Sequence, residues 1–174
     1  HNHPQPSAFW NPDTVLAVCE GRSKRIGACA DTGHWMRSGV DPLEALKKLE
    51  GRIVSLHFKD LNEFGVRAAH DVPWGTGAGN ARRLLEEIHR QGLKAVFSIE
   101  YETNWDSSLP EIAACAEFMN KIAAELGPMP ETPAAQAAPG RRQGRQRART
   151  PEAAATTVRP PNRRGGQQAA RQAE

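Results

Sequence analysis

Apolar positions along the first 126 residues follow two rhythms. Three short runs are almost continuously apolar and end on charge: "RIGACAD" (25–31), "GRIVSLHFKD" (51–60) and "LKAVFSIEYE" (93–102). Runs of that length and density predict strands covered on both faces. The opening "HNHP" reads as the last residues of a further strand.

The stretches between them are amphipathic with helical spacing. In "NPDTVLAVCEG", Asn11 is placed to cap, Pro12 to open and Gly21 to stop a helix. "DPLEALKKLEG" repeats that design with Asp41 and Pro42, and Leu43, Leu46 and Leu49 form its apolar stripe. "NARRLLEEIHRQG" carries Leu84, Leu85 and Ile88 on one face and stops at Gly92. "LPEIAACAEFMNKIAAELG" is the longest, with Ile112, Cys115, Met119 and Ile122 on its buried side.

Strict alternation of strand and helix implies an α/β fold with a parallel sheet under helices. Two architectures satisfy it: a doubly wound open sheet, or part of a (β/α)8 barrel. A dinucleotide loop would favour the first. "GTGAGN" (75–80) is the only candidate, and it does not directly follow a strand. It reads instead as the end of a long loop that opens the next helix.

Composition divides the chain at about residue 127. The stretch 127–174 is rich in Ala, Pro, Gln, Gly and Arg and nearly devoid of large apolar residues, so it predicts a disordered tail. The net charge of +3 averages two unlike pieces. Residues 128–174 hold nine Arg and three Glu, against 14 basic and 17 acidic residues in the remainder. The folded part, 1–126, is therefore mildly acidic. No aromatic interleaves the arginines, so the tail does not read as a nucleic-acid surface. Three cysteines without a CxxC exclude a disulfide framework and a Cys-type zinc module. Cys29, inside an apolar run, reads as a small core residue. No stretch has the length of apolar sequence that a membrane helix needs.

The chemistry gathers at the strand ends. His1 and His3 close the first, Asp31 and His34 the second, His57, Lys59 and Asp60 the third, Glu100 and Glu102 the fourth. In a parallel α/β fold these ends share one rim. A set of imidazoles and carboxylates suits Mn, Co, Zn or Fe(II), with Mg also admissible, better than Ca. Such an ion polarises a carbonyl, and a spare carboxylate or imidazole moves the proton. Lys59 is a candidate for stabilising a developing oxyanion, or else a surface lysine paired with Asp60. Trp35 and Trp74 flank the rim as candidate sugar-stacking rings, or else pack over the helix layer.

"CADTGHW", "SLHFKD", "DVPWGTG" and "FSIEYE", in that order and spacing, resemble the xylose-isomerase-like TIM barrels, which include the sugar phosphate isomerases and epimerases. The resemblance covers roughly residues 1–126 as the C-terminal half of such a barrel. It implies a divalent metal held by residues ending the fifth to eighth strands: here His1, Asp31, His57 and Glu100. Relatives carry Glu at the position of His1, so the site has one carboxylate fewer. It further implies Glu100, Glu102, His34 and Lys59 as the proton-handling groups, and His3, Trp35 and Trp74 as substrate contacts. The expected activity is isomerisation or epimerisation of a sugar or sugar phosphate through a metal-stabilised enediolate. A keto-sugar lyase or hydratase on the same site, an endonuclease IV-like nuclease using His70 and Asp71 for a second metal, and a non-catalytic binding module are the rivals. The opening "HNH" does not match HNH nucleases, whose key residues are spread along a ββα fold.

A whole barrel needs about 250 residues. The chain is therefore expected to be a fragment that exposes a sheet edge, and so aggregates or dimerises and is inactive by itself. A cytoplasmic, full-length protein that forms homo-oligomers is compatible with the resemblance.

Overall fold

A computed structural model describes residues 1–130. The predicted tail beyond residue 130 lies outside the described residues.

The elements follow the predicted alternation: α1 Pro12–Cys19, β1 Ala28–Asp31, α2 Thr32–Arg37, α3 Pro42–Lys48, β2 Ile53–Phe58, α4 Ala81–Arg90, β3 Val96–Ile99 and α5 Leu109–Leu126. The three strands are parallel in the order β1-β2-β3. Each is shorter than its apolar run, because the flanking residues turn away to start helices or loops. The "HNHP" stretch is not a strand.

The predicted caps form. Asn11 accepts the Asp13 N–H at 2.8 Å, and Asp41 accepts the Leu43 N–H at 2.8 Å. Each leaves proline in the first turn, where its missing N–H costs nothing. Helix α2 was not apparent in the sequence, since it is a single six-residue element that starts inside "DTGHWMR".

Alternation along the strands separates two faces. Ala28, Ala30, Leu56 and Phe58 join the buried cluster under the helices, with Phe97 and Ile99 packed against it. Cys29, Asp31, Ser55, His57 and Ser98 occupy the other face, in register as Cys29 beside Ser55 and Asp31 beside His57 beside Ser98. The helices complete the core with Leu46, Leu49, Leu84, Leu85, Cys115 and Ile122. Val96, on the outer strand β3, is 69% exposed.

The "GTGAGN" segment does precede α4, and its amides already hold an anion. The Asp60 carboxylate accepts the N–H groups of Gly75, Gly77 and Gly79 at 2.9, 3.0 and 2.9 Å. A Cβ on Gly77 would lie 2.4 Å from Asp60 Oδ1, so only glycine allows this approach. The loop is an internal clamp for a carboxylate, not a cradle for a phosphate.

Candidate metal and substrate site

The rim is assembled by three neighbouring strand ends. Strand β1 ends on Asp31, β2 presents His57 one residue before its end, and the chain leaving β3 carries Glu100, whose N–H donates to the Phe58 carbonyl at 3.1 Å. Asp31 has two local duties besides. It caps α2 by accepting the His34 N–H at 2.8 Å, which brings His34 to the same rim three residues on.

The first three residues reach this rim through Asn2. Its amide donates to the Asp31 carbonyl at 2.9 Å and accepts the Asp31 N–H at 2.8 Å. One side chain thus takes both ladder positions that a neighbouring strand would use. Asn2 is buried, and the His1 and His3 rings meet edge to face above it with centroids 4.6 Å apart. His1 Nε2 stands 3.5 Å from Asp31 Oδ2, and its ring centroid is 4.7 Å from that of His57. His3 stacks on His34 at 4.9 Å. On the far side of the rim His57 Nδ1 lies 3.2 Å from Glu100 Oε2.

Lys59 is placed differently from either expectation. Its side chain is 0% exposed, with Nζ 3.1 Å from Asp31, 2.6 Å from Glu102 and 3.9 Å from Glu100. Asp60, its imagined surface partner, belongs to the glycine clamp. The ammonium is thus enclosed by its carboxylate partners rather than turned to solvent. It fixes the spacing of three carboxylates from below and supplies positive charge to them. Gly33 makes room for it, since a Cβ there would lie 2.7 Å from the Lys59 side chain.

Arg37 was not singled out from the sequence. It lies three residues after His34, but that spacing means something only once α2 exists. Arg37 Nη1 is 3.2 Å from His34 Nδ1 and 3.3 Å from Glu102 Oε2, and Nε donates to the Ala69 carbonyl at 3.0 Å. Guanidinium only donates, so His34 Nδ1 must accept. The ring proton of His34 is therefore on Nε2, the nitrogen 3.7 Å from Asp31 Oδ2. Burial, outweighing the opposing Asp31 charge and helped by Lys59 and Arg37, lowers the His34 pKa to about 4. Burial pushes the Glu102 carboxyl up, but hydrogen bonds and charge from Lys59, then Arg37, outweigh it and hold it below the usual range. Burial also raises Asp71, whose carboxylate accepts the Glu102 N–H at 2.9 Å.

Two expectations are corrected by burial. Trp35 and Trp74 are 1% and 2% exposed. Trp74 packs on Phe58 at 4.5 Å and both indoles belong to the main hydrophobic cluster, so neither offers a ring face to a sugar. Their proximity to the rim motifs in sequence reflects the strand ends they follow, not the side to which they point. His70 is exposed, and Asp71 is buried against Arg37 and the Glu102 backbone. Among the described residues neither belongs to a cluster of three ligand atoms. Cys29 is a third correction, being only partly buried and on the rim-side face of β1 rather than in the core.

The donors present fit a divalent cation. Metal–nitrogen and metal–oxygen bonds of ~2.1 Å set neighbouring ligand atoms about 3 to 3.5 Å apart. The His1–Asp31 and His57–Glu100 contacts of 3.5 and 3.2 Å are of that size. Asp31, Glu100 and Glu102 outnumber Lys59 and Arg37, so the cluster keeps negative charge for a cation to balance.

A parallel sheet with helices on one face and imidazoles and carboxylates gathered at its strand ends is the arrangement of part of a TIM barrel. Residues 1–122 match the xylose isomerase-like TIM barrel family, and the chain belongs to that family. No curated protein matches it significantly. Among solved structures it is similar to a D-tagatose 3-epimerase-like protein, at 23% identity and a TM-score of 0.58, over 72% of this chain and 48% of that one. A xylose isomerase domain protein from Planctomyces limnophilus aligns at 22% identity and a TM-score of 0.59, over 66% of this chain and 44% of that one. The IOLI protein, solved with a zinc atom, aligns at 19% identity and a TM-score of 0.51, over 67% and 43%. These likenesses establish a partial TIM-barrel fold. The chain spans about half the length of the structures it matches. No helix of the described residues is long and apolar enough to cross a membrane.

Proposed function

We propose that the rim is the metal and proton-transfer site of a sugar or sugar phosphate isomerase or epimerase. His1, Asp31, His57 and Glu100 would hold the ion. The observation that carries this reading is the pairing of His1 with Asp31 at 3.5 Å and of His57 with Glu100 at 3.2 Å, with the His1 and His57 rings 4.7 Å apart between the two pairs. Family membership supplies the chemical context.

A divalent ion in such a site polarises a carbonyl and favours charge on its oxygen. The chain's own residues divide the remaining work. Glu102 is committed to Lys59 and Arg37 by hydrogen bonds of 2.6 and 3.3 Å, which makes it an orienting group. Glu100 is 30% exposed, with Oε2 facing His57 at 3.2 Å and Oε1 3.9 Å from Lys59, so one oxygen would hold the ion while the other takes a proton from the carbon beside the carbonyl. His34, with its proton on Nε2, donates a hydrogen bond to a substrate oxygen rather than acting as the base. His3, exposed beside it, borders the substrate. One free carboxylate base supports isomerisation more directly than a two-base epimerisation.

The test is metal stripping and restoration on the protein that carries this chain, with keto-sugar isomerisation and deuterium uptake from solvent as readouts. Glu100→Gln should lower deuterium uptake by roughly 10²–10⁴-fold. Full activity without metal, or unchanged uptake in Glu100→Gln, would sink the reading.

A further inference from the structure

We propose that Cys29 is a ligand of the same ion, making the innermost donor set imidazole, thiolate and imidazole from His1, Cys29 and His57. Such a set selects zinc-class cations over magnesium. The inference rests on the metal reading above and adds to it a donor and a metal preference.

The ligand atoms of His1, Cys29 and His57 all lie within 4.8 Å of one another. Ligands bound at about 2.0–2.3 Å stand roughly 3.3–3.8 Å apart in a tetrahedral site, so the trio closes on an ion with small rotamer adjustments. The fold dictates this arrangement. Cys29 sits two residues before Asp31 on the same face of β1, and register places Ser55 beside it and His57 beside Asp31. The neighbours at that level are small, so nothing in the strand layer intervenes. Cys29 is only partly buried, and a mainly apolar cavity of about 200 Å³ borders it and His1, though not His57.

The competing donor is encumbered. Asp31 Oδ1 caps α2 and Asp31 Oδ2 faces the Lys59 ammonium at 3.1 Å. By contrast, among the described residues the Cys29 thiol takes no hydrogen bond, whereas Cys19 donates to the Ile26 carbonyl. Charge argues the same way. Two imidazoles bring none, and a coordinating thiol releases its proton to solvent and binds as thiolate. Thiolate is the soft ligand that distinguishes zinc, cobalt and cadmium from magnesium and manganese. The set His1, His3 and His34 also lies within 4.8 Å, and it contains no sulfur.

The experiment is an anaerobic titration of the metal-free 174-residue chain with Co(II), followed by absorption. The expected result is one ion per chain with a thiolate-to-cobalt charge-transfer band in the near ultraviolet. Cys29→Ser should abolish the band and weaken cobalt binding by more than about tenfold, since even outer partners of a metal ligand are worth 10–100-fold. Cys19→Ser and Cys115→Ala should keep the band, which assigns it. Cobalt binding without the band in the unmodified chain, or a band that survives Cys29→Ser, overturns the inference and leaves the carboxylate–imidazole site standing. Absence of any cobalt binding removes both. The wild-type spectrum decides the matter even if a variant misfolds, and Cys29→Ala serves as the second variant.

Discussion

Asp31 and Asp60 are both almost completely buried, one at the end of β1 and the other two residues beyond β2, yet they are held in opposite ways. Asp60 is surrounded by backbone: three glycine amides of one loop point at its two oxygens. Asp31 is surrounded by side chains: Lys59 at 3.1 Å, His1 at 3.5 Å and His34 at 3.7 Å, with a single backbone N–H. Backbone amides cannot titrate, move away or be exchanged for a ligand. Imidazoles and ammonium can. The first aspartate thus sits among groups able to titrate or bind a ligand, as the proposed site requires, and the second fastens the glycine loop 75–79 to the end of β2.

The largest effect is expected at the fastening. Asp60→Ala removes the acceptor of three amides, that of buried Gly79 and those of Gly75 and Gly77, which are more open to solvent. A buried amide left without a partner costs about 1–3 kcal/mol, a sizeable part of the ~5–15 kcal/mol stability of a whole domain. Loss of a cooperative thermal transition by circular dichroism is the outcome. A melt little different from the parent's would show that the loop has other support and would erase the contrast.

Asp31→Asn sharpens the comparison from the other side. Asparagine keeps the oxygen that caps α2 and removes the charge seen by Lys59 and the imidazoles. The ordered fold should persist, because Lys59 retains Glu102, while affinity for zinc falls by about 10–100-fold or more. Calorimetric metal titration beside a melting curve separates the two quantities. Equal damage to both would make Asp31 a fastening like Asp60.

Arg37 offers a smaller and more selective effect than Asp60. Arg37→Met frees His34 Nδ1 and should let the ring populate both tautomers, seen by nitrogen NMR of the imidazole. Arg37→Lys keeps a donor there and should keep the Nε2–H form. Stability should fall by about 2–3 kcal/mol in Arg37→Met, since the side chain makes three hydrogen bonds of about 1 kcal/mol each. An unchanged tautomer in Arg37→Met would mean that Asp31, not Arg37, sets the ring.

Much of the rim was legible because apolar runs ending on Asp, His and Glu mark strand termini, and parallel topology brings such termini together. His57 and Glu100 meet for that reason. The residues that escaped notice are those whose role depends on direction. Asn2 sits between two histidines and gives no sign that it replaces a strand. Arg37 needed α2, too short to show a period. Lys59 looked like surface in "FKD", and only packing sent it under Glu102. The tryptophans were misplaced by the same blind spot, since position in sequence does not tell which side of a sheet a ring faces.

By itself the sequence determined the alternation of the three strands with four of the helices, the Asn11 and Asp41 caps, and the family. These follow from local periodicity, proline and glycine chemistry and the alternation of elements, all of which are short-range. Only the tertiary structure decided which carboxylate is clamped by backbone and which faces side chains, that Lys59 is enclosed, and that Cys29 shares a face with His57. Those are matters of which atoms meet across tens of residues, and strand register sets them at a scale no linear pattern records.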